Sequence, residues 1–164
     1  MKNSAKHNID KTNAMRILDT AKVEYIVHEY ESDGFMEGEA VANKLGEDMN
    51  HVFKTIVLIG NTRENFVAMV PVDKEIDFKK VAKVFGVKSV EMIKVDTLTK
   101  VTGYVRGGCS PIGMKKRFKT VVDASLGDDD RIIMSGGKLG MQIEMNYGDL
   151  IKVIDAKVEH ITMN

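Results

Sequence analysis

Cysteine is nearly absent: Cys109 stands alone, so no disulfide can form within the chain. That scarcity fits a reducing compartment and favours the cytoplasm. Net charge is absent too. Lys+Arg number 24 and Asp+Glu number 24, so contact with nucleic acid must come from a local patch and not from overall basicity. No apolar run is long enough to span a bilayer, which argues against a membrane role. The polar stretch from Met1 to Lys11 lacks the apolar centre of a signal peptide. Ligand spacing for a metal is missing: His7, His28, His51 and His160 are scattered, without Cys or carboxylate partners at the usual intervals. No metal and no cofactor are therefore expected.

The 164 residues are 43% hydrophobic and 29% charged, the profile of one globular domain with a sizeable core. The 11 methionines sit mostly at apolar positions and read as core filling. With no internal repeat and no low-complexity linker, the expected division is a flexible tail over residues 1–10 and a single domain over 11–164.

Thr12 has the position of an N-cap, followed by a helix to which Ala14, Leu18 and Ala21, with Met15 and Ile17, give one apolar face. Residues 25–30 alternate as a strand, residues 32–38 form an acidic loop, and 39–45 form a short helix that Gly46 ends. Residues 52–59 are rich in β-branched and aromatic side chains and should pair with 66–72 across a turn at 61–64. Asp77 should cap a helix running to Phe85, with Gly86 as its stop. A short strand at 91–92 and a helical turn at 97–102 follow. Strands are expected at 120–123, 132–135, 141–145 and 158–161, with a helix at 148–154. Many short strands with interspersed helices predict an α+β fold, a mixed, curved sheet flanked by helices.

Lys54 is the residue that carries most chemical information. It lies inside an apolar strand, where a lysine either escapes to solvent along an edge or works in a protected site. The sequence pattern leaves both open. Tyr30 could hold a substrate or pack on the core. Around Cys109, Gly107-Gly108-Cys109-Ser110-Pro111-Ile112-Gly113 is dense in turn residues. Adjacent glycines free backbone N–H groups that suit a carbonyl or developing oxyanion, and they serve a tight structural turn equally well. Lys115, Lys116 and Arg117 form a basic run, either a solvated face or a phosphate clamp. Ser135-Gly136-Gly137-Lys138 reads as a wide turn and lacks the spacing of a phosphate-binding loop.

Taken in order, these pieces resemble the YbaK/EbsC family of aminoacyl-tRNA deacylases, which is related to the editing domain of bacterial prolyl-tRNA synthetases. The matching stretches are Lys11-Thr12-Asn13-Ala14-Met15-Arg16-Ile17-Leu18, Val52-Phe53-Lys54-Thr55, Phe78-Lys79-Lys80-Val81-Ala82-Lys83, the run from Thr102 through Gly113, and Ser135-Gly136-Gly137-Lys138. The resemblance implies a barrel-like mixed sheet and a tRNA substrate mischarged with a small amino acid, foremost cysteine on the tRNA for proline. It implies catalytic positions at Lys54, Tyr30, Gly107 and Gly108. Substrate-binding positions follow at Thr55, Ser110, Pro111, Ser135, Gly136 and Gly137, with tRNA contacts at Lys115, Lys116 and Arg117. The implied partners are the aminoacyl-tRNA acceptor end and prolyl-tRNA synthetase.

One departure stands out. Some members of the family carry Gly-Leu-Asp-Ile-Glu where this chain has Gly140-Met141-Gln142-Ile143-Glu144, so a carboxylate function at that position is replaced by a neutral amide. The expected chemistry is attack of the substrate's own thiol on its ester, with Lys54 orienting the terminal nucleotide and Cys109 dispensable. Hydrolytic editing of another small aminoacyl-tRNA, such as alanyl-tRNA(Pro), and a non-catalytic tRNA- or synthetase-binding module are the competing expectations.

Overall fold

The computed structural model describes residues 10–32 and 34–164. Most of the expected flexible tail, including His7, and Asp33 of the acidic loop lie outside the described residues. Helix α1 (Asn13–Thr20) begins at Thr12, whose side chain accepts from the Met15 N–H, and it buries Ala14, Met15 and Leu18. Strand β1 (Tyr25–Glu29) follows, then α2 (Gly38–Leu45), which stops where Gly46 turns left-handed at φ 70°. Strands β2 (Phe53–Gly60) and β3 (Asn65–Pro71) form the expected hairpin. Asp77 caps α3 (Phe78–Phe85) by accepting from the N–H groups of Lys79 and Lys80. Next come β4 (Val90–Met92), α4 (Val95–Thr102), β5 (Lys119–Asp123), β6 (Arg131–Lys138), β7 (Met141–Asn146), α5 (Tyr147–Ile154) and β8 (Lys157–Glu159).

The α+β class holds, with five helices beside the strands among the described residues. The described strands form two sheets, ordered β1-β7-β6 and β4-β2-β3-β5-β8, and do not close into a barrel. The smaller sheet is antiparallel, while the larger is mixed because β5 runs parallel to both β3 and β8. The sheets meet at a parallel bridge between Val52 and Ile133, where the Ile133 N–H donates to the His51 carbonyl at 2.8 Å. Beyond that bridge they part.

Two expectations are corrected. The Ser135-Gly136-Gly137 stretch is part of β6 and not a turn; the turn lies at Leu139 and Gly140. The β6–β7 register shifts between Ser135 and Lys138, so the two glycines are absorbed as a bulge inside the ladder. The last strand ends at Glu159, two residues before the expected end.

The alternation along β2 sorts its side chains into separate cores. Phe53 joins Met15, Leu18, Met69, Met134 and Leu150 between the sheets, α1 and α5. Ile56 and Leu58 face the other way, onto Val81 and Ala82 of α3. Tyr147 anchors α5, with its ring 1% exposed and its hydroxyl donating to the Asp123 carbonyl at 2.9 Å. Tyr147→Phe leaves that carbonyl without its phenol partner and should lower stability by about 1–2 kcal/mol. A chemical-denaturation midpoint unchanged from wild type would contradict this.

Candidate functional site

The site grows out of an interrupted edge. Strand β4 pairs with β2 only along Leu58, Ile59 and Gly60, and one further bond runs from the Ile93 N–H to the Val57 carbonyl at 3.2 Å. The first half of β2 therefore has a neighbour on its β3 side alone. Where the two sheets part, they leave a cavity of about 450 Å³ along this edge. Most of its wall is apolar: Val41 of α2, Val72, Phe78 of α3, Ile93, Leu98 of α4 and Val57.

Lys54 and Thr55 are neighbours on this edge and leave the strand on opposite sides. Lys54 shares its side with Ile56 and is half-buried. The lining carboxylates are Glu37 and Glu75. Lys54 forms no ion pair with them or with any other described residue. Thr55 shares its side with Val57, and its Oγ1 is a buried side-chain atom with no hydrogen-bond partner among the described residues. The cavity thus wraps around a strand edge that carries an unpaired cation on one side and an unsatisfied hydroxyl on the other.

The glycine loop supplies the facing wall. Gly107 adopts φ +85°, and a Cβ there would meet Leu139 Cδ2 at 2.7 Å and the Phe35 ring at 3.0 Å. Gly108 lies against backbone, with a Cβ position 3.0 Å from Lys138 Cα. The two glycines are not equivalent as donors. The Gly108 N–H is taken by the Val105 carbonyl at 2.9 Å, so it is not free for an oxyanion, whereas the Gly107 N–H donates to no described backbone carbonyl. Gly107 lines the cavity and Gly108 supports it from behind.

Cys109 also lines the cavity at 8% exposure. Burial pushes its thiol up to about 12, with the Thr102 hydroxyl pulling the other way, so the thiolate is scarce near neutral pH. Ser110 is fully buried and its Oγ accepts from the Ile112 N–H at 3.2 Å, a structural turn beside a half-buried Pro111. Ser135 lines the cavity while its Oγ accepts from the Gly137 N–H at 3.1 Å. Gly136 and Gly137 are not in the wall. Neither is Tyr30, which borders a separate shallow hollow with Ser32, Lys138 and Leu139. Lys115, Lys116 and Arg117 are exposed outside the cavity, and Arg117 donates to the Val153 carbonyl at 3.3 Å.

Two features were not legible beforehand, and a third, Gln142, stood out only as a departure from the family pattern. The Arg106 guanidinium stacks 3.9 Å above the Phe35 ring, and both line the cavity. The only sequence signal was a lone aromatic residue in an acidic loop. Gln142 is 6% exposed and lines the cavity too. His28, Glu47 and Glu144 converge although their spacing gave no hint, with ligand atoms within 4.8 Å of one another. His28 Nε2 lies 2.7 Å from Glu144, and Arg131 takes the other carboxylate oxygen at 3.4 Å. Burial raises the Glu144 pKa, but the bonds to His28 and Arg131 outweigh it and hold the carboxyl below its usual range.

Residues 34–153, a span that includes the cavity wall from Phe35 to Gln142, match the model of the aminoacyl-tRNA editing domain. The chain belongs to the aminoacyl-tRNA editing domain family. It is similar to EbsC of Enterococcus faecalis (strain ATCC 700802 / V583), a candidate Cys-tRNA(Pro)/Cys-tRNA(Cys) deacylase, at 42% identity over 93% of each chain. It is also similar to the proline--tRNA ligase of Citrifermentans bemidjiense, at 35% identity over 54% of this chain and 15% of the ligase. Among solved structures, a candidate trans-editing enzyme for prolyl tRNA synthetase superposes with a TM-score of 0.78 at 18% identity, covering 94% of this chain and 100% of the other. A hypothetical protein, APE2540, gives 0.83 at 19% identity over 93% and 100%. At those identities the structures establish the editing-domain fold and nothing further. No described helix is long and apolar enough to cross a membrane.

Proposed function

We propose that the protein is a trans-editing deacylase that releases cysteine from mischarged tRNA, above all tRNA(Pro), in the cytoplasm, working beside prolyl-tRNA synthetase. The observation that carries the reading is the shared cavity: Lys54, Thr55, Gly107 and Ser135 border one chamber in a chain 42% identical to EbsC.

The chemistry follows from what the chamber holds and what it lacks. Glu37 and Glu75 are the carboxylates in the wall, and Cys109 is kept protonated by burial. The nucleophile is assigned to the substrate. The cysteine sulfur, as thiolate, attacks its own ester carbonyl, and the C=O electron pair moves onto oxygen. Collapse of that intermediate expels the ribose 3′-oxygen, which takes a proton. The products are free tRNA and a four-membered cyclic thiolactone, and no water is consumed. An intramolecular attack gains from proximity, so the protein has to hold the ends and stabilise charge. Lys54 fits contact with phosphate or ribose of the terminal nucleotide, and the Gly107 N–H fits the oxyanion. Thr55 Oγ1 and Ser135 fit polar atoms of the aminoacyl-adenosine. Tyr30 would reach this chamber only from outside its present wall.

Purified protein incubated with cysteinyl-tRNA should release a trappable thiolactone. Cys109→Ala should deacylate within about threefold of wild type, since a protonated buried thiol contributes no nucleophile. Loss of activity in Cys109→Ala at unchanged melting temperature would move the nucleophile to the protein and overturn this mechanism.

A further inference from the structure

We infer that α4 and the loop after it form an RNA-binding rim, a track for the unpaired strand that leads out of the cavity. The inference rests on the deacylase reading and extends it from the ester to the polynucleotide. Although the chain has no net charge, residues 88–119 hold eight lysines and arginines and only two acidic residues, Glu91 and Asp96. The remaining residues are acidic in sum, so the cations are concentrated on one stretch.

Not all eight are available. Lys119 pairs with Glu64 at 3.5 Å, and Arg117 reaches the Val153 carbonyl. Lys94, Lys100, Lys115 and Lys116 are exposed and make no ion pair with a described residue. They gather around one short helix. Lys94 is the residue before α4, and Lys100 lies in its last turn. Lys115 folds against its end, with its N–H donating to the Thr102 carbonyl at 3.0 Å and its side chain 3.3 Å from a Cβ position on Gly103. Through Val95 and Leu98 the same helix walls the cavity, and Arg106 joins it at the mouth.

Between the cations lies unusual apolar surface. Met92 and Val95 are each 58% exposed, Val105 is 49% exposed and Phe35, under Arg106, is 43% exposed. Paired RNA offers a wall mainly phosphates and ribose, whereas unpaired nucleotides offer phosphates and flat base faces together. A rim of spaced cations with apolar and aromatic surface between them suits the second. Connectivity points the same way: a strand whose terminal nucleotide sits in the cavity must leave across its rim, and residues 88–119 give this part of the rim a basic excess. That local charge answers how a chain of zero net charge holds a polyanion.

The test uses the full chain with two probes. Uncharged tRNA reports binding, by anisotropy over a salt series; cysteinyl-adenosine, which has no phosphate, reports turnover. The rim variant is Lys94→Gln/Lys100→Gln/Lys115→Gln. The control, Lys22→Gln/Lys152→Gln/Lys157→Gln, removes equal charge from exposed positions after α1, on α5 and on β8, away from residues 88–119 in the chain. The rim variant should weaken tRNA binding about tenfold at low salt. It should also flatten the slope of log Kd against log salt by about 2, on the order of 0.7 per lost contact. The control should keep the wild-type slope. All three proteins should turn over cysteinyl-adenosine within about twofold of one another. Equal slopes in rim variant and control would overturn the rim. So would a slope change that needs prolyl-tRNA synthetase present, which would assign the surface to a protein. If wild type leaves cysteinyl-adenosine intact, the deacylase reading fails, while the binding slopes still decide the rim.

Discussion

Lys54→Ala is expected to lower kcat/KM for cysteinyl-tRNA by about one to three decades and to leave the melting temperature within about 2 °C of wild type. The two halves of this result have different causes. A hydrogen bond to a charged group contributes about 1.5–3 kcal/mol, and a donor acting on developing charge in a dry site contributes somewhat more. At about 1.4 kcal/mol per tenfold, that is one to three decades of rate. Stability should scarcely move, because Lys54 is half-buried and pairs with no described residue. Its removal leaves no partner stranded. Lys54→Arg should fall between the two, since a guanidinium keeps the charge but not the point geometry of an ammonium. If Lys54→Ala instead loses several degrees of stability in step with activity, the lysine is structural, and its place at the cavity edge means little.

Gly108→Ala should produce the opposite pattern, damaging stability and activity together. A Cβ at this position would lie 3.0 Å from Lys138 Cα, 3.1 Å from Lys138 C and 3.2 Å from Leu139 N. All three are backbone atoms at the end of β6 and in the turn after it, so no flexible side chain can swing aside. Overpacking of this kind costs about 1–3 kcal/mol, and each kcal/mol lowers the melting temperature of a chain this size by roughly 2–4 °C. Relief requires the glycine loop to back away from β6. Gly107 moves with it, and a shift near 1 Å in a positioning group can cost about 100-fold in rate. Calorimetry and single-turnover deacylation on the same preparation check both parts. Full activity in a destabilised Gly108→Ala would show that the loop does not position the reaction.

The legible parts of the fold were those written locally. Thr12 and Asp77 cap helices with their own side chains, and Gly46 and Gly86 end helices in the left-handed region. The hairpin of β2 and β3 needed only two apolar runs and the turn between them. What depended on distant partners was hidden. Nothing near Ser135 indicates that Gly136 and Gly137 are absorbed as a bulge, because the bulge exists only opposite Met141 and Gln142. The Val52–Ile133 bridge, where backbone of the two sheets meets beside the cavity, joins residues far apart in the chain.

The same division holds at the site. Lys54 and Gly107 stood out because a cation in an apolar strand and paired glycines in a loop are local anomalies, and both border the cavity. Tyr30 carried no such anomaly, and it borders the neighbouring hollow instead. That the Gly108 N–H is spent on Val105 depends on the three-dimensional turn and could not be read from a Gly-Gly pair.

The central claim is that the substrate brings its own nucleophile to a chamber that only holds and polarises the ester. Cysteine and serine are nearly equal in size and differ chiefly in that nucleophile. The most direct test is the deacylation rate of cysteinyl-tRNA(Pro) against seryl-tRNA(Pro) under identical conditions. The account predicts that the cysteinyl ester is cleaved at least about 100-fold faster, since a thiol forms far more of its anion near neutral pH than a hydroxyl does. Equal rates would contradict it, because they would mean that water, or a group of the protein, does the attacking.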